Sequence, residues 1–215
     1  MSSRRQLLCL LPACLLPAFL LPAGARATPA GAEQAAAFIR RTGADLTAIV
    51  EASGSAALRR ARLAGLIDRV VAVDFLARYC LGRFWHLASP QQQATYVRLF
   101  HAVLLDNIVS HIGTGRRLRN PSFNVAIGRT HADGAEIEVL TTVERAGSPE
   151  LIVVWLVRQT PDGPRIVDLR ALGVSVRVTV HDDIAAYLAR HDDSIPQLLL
   201  AMRRMISAAR APAAR

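Results

Sequence analysis

"ELIVVWLVRQT", residues 150–160, contains seven consecutive apolar residues at 151–157. That run is too short to cross a bilayer and is mostly β-branched or aromatic, so it reads as a strand. Side chains alternate along a strand, which puts Val153, Trp155 and Val157 on one face and Ile152, Val154 and Leu156 on the other. Both faces are apolar. A strand in a small antiparallel sheet ordinarily leaves one face wet. This one is therefore either central and covered on both sides, or the border of a cavity that holds an apolar ligand.

On either side of it the apolar period is two. "SFNVAIGR" (122–129) and "AEIEVLTTVER" (135–145) flank the glycine-containing turn "THADG", and "PDG" joins the quoted strand to "PRIVDLRAL" (164–172). In the second of these strands Ile137, Val139 and Val143 stand opposite Glu136, Glu138 and Glu144, giving one apolar and one charged face.

The flanking sequence has helical spacing. Residues 33–50 form a first helix, weakened by Gly43, and Leu63, Leu66, Ile67, Val70 and Val71 make the stripe of a second. "FLARYCLGRFWHLASP" (75–90) reads as an aromatic connector. Behind it Ser89 is placed as N-cap, Pro90 at the first helical position and Gln92 at the capping-box position of a helix with the stripe Tyr96, Leu99, Phe100, Val103 and Leu104. After the strands come "DDIAAYLAR" (182–190) and a stripe of Ile195, Leu198, Leu199, Met202, Met205 and Ile206. Helices, meander, helices define an α+β fold: a curved antiparallel sheet of about four strands with N-terminal and C-terminal helices packed over it.

The first residues belong to a different problem. "MSSRR" is a positive n-region, "QLLCLLPACLLPAFLLP" an apolar h-region broken by Pro12, Pro17 and Pro22, and Ala25-Arg26-Ala27 an A-x-A site. Residues 1–27 are expected to be a signal peptide cleaved after Ala27, leaving residues 28–215 as one exported domain. Cys9 and Cys14 leave with it, so Cys80 alone remains and no intramolecular disulfide is available. Three arginines leave too, which takes the formal charge from +9 to about +6.

The chain has no lysine. Its positive charge is all guanidinium, suited to bidentate contact with phosphate or carboxylate, though genomic base composition accounts for the same bias. A P-loop, a pyridoxal-phosphate Schiff base and a Ser-Lys dyad are excluded, because each needs an amine. Export argues against nucleic acid as a partner. His181, Asp182, Asp183, His191, Asp192 and Asp193 could be drawn as a metal cluster, but capping explains them better: Asp182 or Asp183 before one helix, Asp193 or Ser194 before the next, and His191 after the first helix's last turn. His101 and His111 lie nearly three turns apart, too far for joint ligation. "GVSVR" resembles half of a nucleophile elbow, with Arg177 where the second glycine belongs and no Asp or His partner in view. No catalytic residue, metal or cofactor is expected.

"VDFLARYC" and "LGRFWHLASPQQQATYVRLF" together resemble the signature of the MlaC family of periplasmic phospholipid-binding proteins, also called the toluene-tolerance family. Asp74, Phe75, Ala77, Leu81, Gly82, Phe84, Trp85, Pro90 and Gln92 match its form, as do Val167, Asp168, Gly173, Val174 and Ser175 of "PRIVDLRALGVSVRVTV". Arg165 near the place of a usual tryptophan, Ser89 for threonine and "VTVHDD" after G-V-S depart from it.

The resemblance implies a soluble periplasmic carrier, not an enzyme, that holds a phospholipid by its acyl chains. Its partners would be an inner-membrane lipid ABC transporter complex and an outer-membrane lipoprotein complex, in the maintenance of outer-membrane lipid asymmetry. Relatives associated with hopanoid biosynthesis leave the lipid class open. The expected lipid-lining residues are Phe75, Leu81, Phe84, Trp85, Phe100 and Leu104 from the helices, with Val139, Val143, Val153, Trp155 and Val167 from the strands. The helix behind Ser89 and the sheet around Trp155 would form opposite walls. The alternative is a small-molecule enzyme with a His/Asp acid-base pair in the cavity of a cone-shaped α+β fold.

Overall fold

In the computed structural model, residues 29–113, 124–133, 135–144 and 151–211 are described, with side chains for 31–110, 135–142 and 151–211. Four helices come first: α1 (Pro29–Glu51), α2 (Ala56–Val70), α3 (Val73–Leu81) and, after a 3-10 segment (Gly82–Leu87), α4 (Pro90–Gly113). The strands β1 (Asn124–Asp133), β2 (Glu136–Glu144), β3 (Leu151–Thr160), β4 (Gly163–Ala171) and the two-residue β5 (Val174–Ser175) follow. Helices α5 (Val176–Ala189) and α6 (Ile195–Arg210) close the chain. The sheet is an antiparallel meander in the order β1-β2-β3-β4-β5. The expected α+β class stands, with β3 in the middle of the sheet.

Helix α4 starts as its sequence dictates. The Ser89 amide donates to Gln92 Oε1 at 2.8 Å and the Gln92 amide to Ser89 Oγ at 3.2 Å, the reciprocal pair of a capping box. Ser194 likewise caps α6, accepting from the Gln197 amide.

Three local expectations change. The aromatic connector is largely helical: α3 occupies its first half and ends at Gly82, whose φ of +57° favours glycine. A Cβ there would also lie 2.6 Å from His181 Cε1. The chain can therefore turn sharply into the 3-10 segment, which buries Phe84 and leaves Trp85 half-buried beneath the Arg78 guanidinium. Helix α5 begins at Val176 rather than at Asp182 or Asp183, because Ser175 is its N-cap, accepting from the Val178 amide at 3.1 Å. The two aspartates are exposed positions inside the helix. The predicted turn "THADG" also shortens, since β1 continues to Asp133, which pairs with Glu136.

Three apolar cores result. Helix α1 covers the apolar sheet face, where Ala35, Phe38 and Ile39 meet Ile137, Val139, Val157 and Ile166. A second core is helical, joining α3, the 3-10 segment, α4, α5 and α6 around Leu81, Phe84, Tyr96, Phe100, Leu188 and Leu198. The third joins α2 to α4 through Leu63, Ile67 and Leu105. Each fully buried side chain of this size contributes roughly 1.5–3 kcal/mol. Arg165 fastens the end of α2 to β4 by donating to the Asp68 and Arg69 carbonyls, while the Ala72 amide donates to the Ile166 carbonyl at 3.0 Å.

Candidate ligand-binding site

The residues expected to line a cavity are distributed over all three cores. Leu81, Phe84, Trp85 and Phe100 belong to the helical core, Val139 and Trp155 to the sheet core under α1, and Leu104 to the third. Val153 and Val167 are buried in their strands. Phe75 is half-buried, with the Arg158 guanidinium 4.2 Å from its ring centroid. Val143 lies outside the residues whose side chains are described. Helix α4 packs on α6, α3 and α2.

Space lies elsewhere. A cleft of about 690 Å³ opens where α2 passes into α3, with Val71, Val73, Phe75 and Val97 among its lining and Asp68, Asp74, Arg98, His101, Asp162 and Arg165 around them. A second, of about 330 Å³, lies between α1 and α2 and includes Phe38, Val70 and Arg69. Val70 and Val71 also pack against the core that holds Val139 and Trp155. Each cleft thus reaches the sheet core through one valine at the α2 terminus, Val71 for the larger and Val70 for the smaller. The sequence marks the place, since "VAV" (71–73) extends the α2 stripe past the helix end into four apolar residues together with Val70.

The opposite sheet face explains the doubly apolar strand. Leu156 is fully buried on it, paired with Asp168 of β4, the strand that α3 and α5 pack against, whereas Ile152 is exposed. Around Leu156 the face is ionic. Glu136, although 8% exposed, receives Arg158 at 2.7 Å and Arg177 at 3.0 Å, and Arg170 pairs with Glu138. Burial opposes the charge on Arg177, but the Glu136 hydrogen bond and the nearby carboxylates outweigh it and raise its pKa. Asp168 Oδ1 accepts from the Leu169 and Arg177 amides, and its Oδ2 from the Ser175 hydroxyl at 2.6 Å. Ser175 is committed twice, to that carboxylate and to the helix cap.

Other reactive groups are equally occupied. Burial pushes the Cys80 thiol up to about 12, which leaves it a neutral packing group. His181 Nδ1 sits 3.2 Å from the Tyr79 and Cys80 carbonyls, and His191 stacks on Tyr187 with its Nδ1 2.8 Å from that residue's carbonyl. His101 lines the larger cleft, its Nε2 2.9 Å from Asp68 Oδ1 but without an aligned hydrogen bond. Among the described residues no group of three or more His, Cys, Asp or Glu could hold a metal ion, and no helix is long and apolar enough to cross a membrane.

A meander sheet with one apolar face roofed by a helix and flanked by clefts is the architecture of a small-ligand binding domain. The sequence matches the MlaC protein family over residues 40–204, and the chain belongs to that family. Its fold is similar to that of a phospholipid-binding protein from Ralstonia solanacearum, solved in complex with a phospholipid. The two share 20% sequence identity over 83% of this chain and 99% of that one, with a TM-score of 0.69. No protein of curated function matches the sequence.

Proposed function

We propose that this protein is a periplasmic carrier that binds a phospholipid by its acyl chains and moves it between an inner-membrane lipid ABC transporter complex and an outer-membrane lipoprotein complex, without catalysis. Family membership supports the reading, together with the likeness to a fold solved with phospholipid bound. The observation that carries it is the apolar sheet face beneath α1, with clefts on both sides of Val70 and Val71. Exposing some thirty methylenes to water would cost upward of about 20 kcal/mol. A bilayer and an apolar pocket are similar solvents for those chains, so loading and unloading can be nearly thermoneutral. The n-region, h-region and A-x-A site ending at Ala27 support export to the compartment where such transfer is needed.

The test is direct. Protein purified from the periplasm and extracted with organic solvent should yield about one phospholipid per chain by mass spectrometry. An empty protein that also fails to take lipid from vesicles would sink the carrier reading.

One observation favours the enzyme alternative, the approach of His101 to Asp68 in the larger cleft. If His101 only packs, His101→Ala should leave lipid transfer between labelled vesicles, with partner proteins supplied, within about threefold of wild type, whereas removing a general base typically costs a factor of about 10² or more. A turnover assay that collapses in His101→Ala would decide for catalysis.

A further inference from the structure

Leu172 is 82% exposed, and its φ of +52° is a left-handed conformation that leucine disfavours. It forms, with Gly173 at φ +80°, a two-residue turn between the paired residues Ala171 and Val174, a geometry that ordinarily selects Asn-Gly. Neither strain nor exposure is offset by packing at that tip, and such a cost points to function. The turn does not stand alone. Val153 pairs with Ala171, which brings Leu151 and Ile152 to the same end of the sheet, and Val174, Val176 and Val178 continue from the turn. All six of these aliphatic residues are exposed.

We propose that this patch is where the protein docks on an anionic lipid bilayer, dipping Leu172 and its neighbours into the interface. The inference deepens the carrier reading and rests on it for its purpose. The chemistry of the patch selects its occupant. Protein-protein hot spots are rich in Trp, Tyr and Arg and poor in Leu and Val, whereas hydrocarbon asks only for aliphatic surface. The segments that build it, 151–161 and 169–181, contain Arg158, Arg170 and Arg177 and no acid, and these arginines are paired inward with Glu136, Glu138 and Asp168. Asp182 and Asp183 come a helical turn beyond Val178, and the flanking Arg145 and Glu150 cancel in sequence. A formal charge of about +6 on residues 28–215 draws the whole chain toward a negative surface, and the aliphatic tip then anchors it reversibly.

The experiment is sedimentation with lipid-loaded full-length mature protein and vesicles of phosphatidylcholine containing about one quarter phosphatidylglycerol. Leu172→Asn suits the left-handed turn position while removing the apolar tip. It should weaken vesicle binding by about tenfold or more, the effect of withdrawing one such side chain from hydrocarbon, and adding Val174→Thr should weaken it further. Met205→Gln, which removes an exposed apolar residue from α6, should change binding less than about twofold. Wild type that ignores these vesicles, a Leu172→Asn/Val174→Thr variant that binds like wild type, or Met205→Gln binding as poorly as Leu172→Asn would each overturn the proposal. Copurified phospholipid is measured on every sample. Full lipid in a Leu172→Asn protein that no longer binds vesicles supports docking as a function separate from carriage, while vesicle binding by a protein that neither copurifies with lipid nor takes it from vesicles supports docking and sinks the carrier reading instead.

Discussion

Replacing Asp168 with Ala is expected to cost about 3–5 kcal/mol of folding free energy, the range for removing one partner from a buried ion pair. At the roughly 2–4 °C per kcal/mol of a domain this size, the melting temperature should fall by about 10 °C. Asp168 is 3% exposed and receives three hydrogen bonds, two from backbone amides and one from the Ser175 hydroxyl. It is also 3.9 Å from Arg177 Nε. Alanine would leave the Arg177 amide without that acceptor and would release Ser175 Oγ, which caps α5. Asp168→Asn keeps the shape and the acceptor oxygen, so its loss should be smaller. Circular dichroism melts of both variants measure the difference. An Ala variant that melts within about 2 °C of wild type, less than 1 kcal/mol, would show that the carboxylate is not the tie between β4 and α5.

That tie also explains which parts of the fold could be read from the sequence. The α4 start was legible because every signal for it is local: Ser89, Pro90 and Gln92 lie within one turn and satisfy each other's backbone groups. The meander was legible because a period of two survives in β2 and in the second half of β4, and β3 announces its central place by carrying apolar residues on both faces. Helix α5 was misplaced by about two turns because "VRVTV" is rich in β-branched residues, whose side chains lose freedom in a helix. What makes it helical is the Ser175 cap and the Arg177 amide bound to Asp168, a residue nine positions away in sequence and on another element. Helix α3 was missed for a similar reason. Its stripe of Val73, Ala77, Cys80 and Leu81 spans only nine residues, and Phe75 and Tyr79, under the guanidinium groups of Arg158 and Arg177, add apolar side chains on another face.

The charged face of β2 has the same lesson for the site. Alternation predicts Glu136 and Glu138 opposite the apolar residues but cannot say that Glu136 is covered, because Arg158 and Arg177 arrive from 22 and 41 residues further along the chain. For the candidate ligand residues, apolarity identified burial correctly at Leu81, Phe84, Phe100, Val139, Val153 and Val167. It could not assign them to one cavity, since an apolar side chain carries no mark of which core it enters. The clefts depend on where α2 stops relative to β4, and that is fixed by the bond from Arg165 to the Asp68 carbonyl, 97 residues away in sequence.

Val139→Arg should be the sharpest test of the proposed lipid seam. Val139 is fully buried between α1 and the sheet, beside Phe38, Ile39 and Val157. Its neighbours in that core are apolar side chains. A guanidinium there has no carboxylate partner, and leaving such a charge unpaired costs about 3–5 kcal/mol. If acyl chains lie along this face, they stand in the position the guanidinium would occupy, and any folded fraction should copurify with little lipid. Because the variant can fail by unfolding, Val139→Thr supplies the second measurement. Its shape is nearly that of valine, and a buried hydroxyl costs roughly 1–3 kcal/mol, which a stable domain tolerates. The threonine should lower lipid retention by several-fold while leaving the circular dichroism spectrum intact, since chains against the seam would share its added polarity. Folded Val139→Thr that holds lipid as tightly as wild type would mean that the chains lie elsewhere, and Val73 and Val97 in the larger cleft would be the positions to change next.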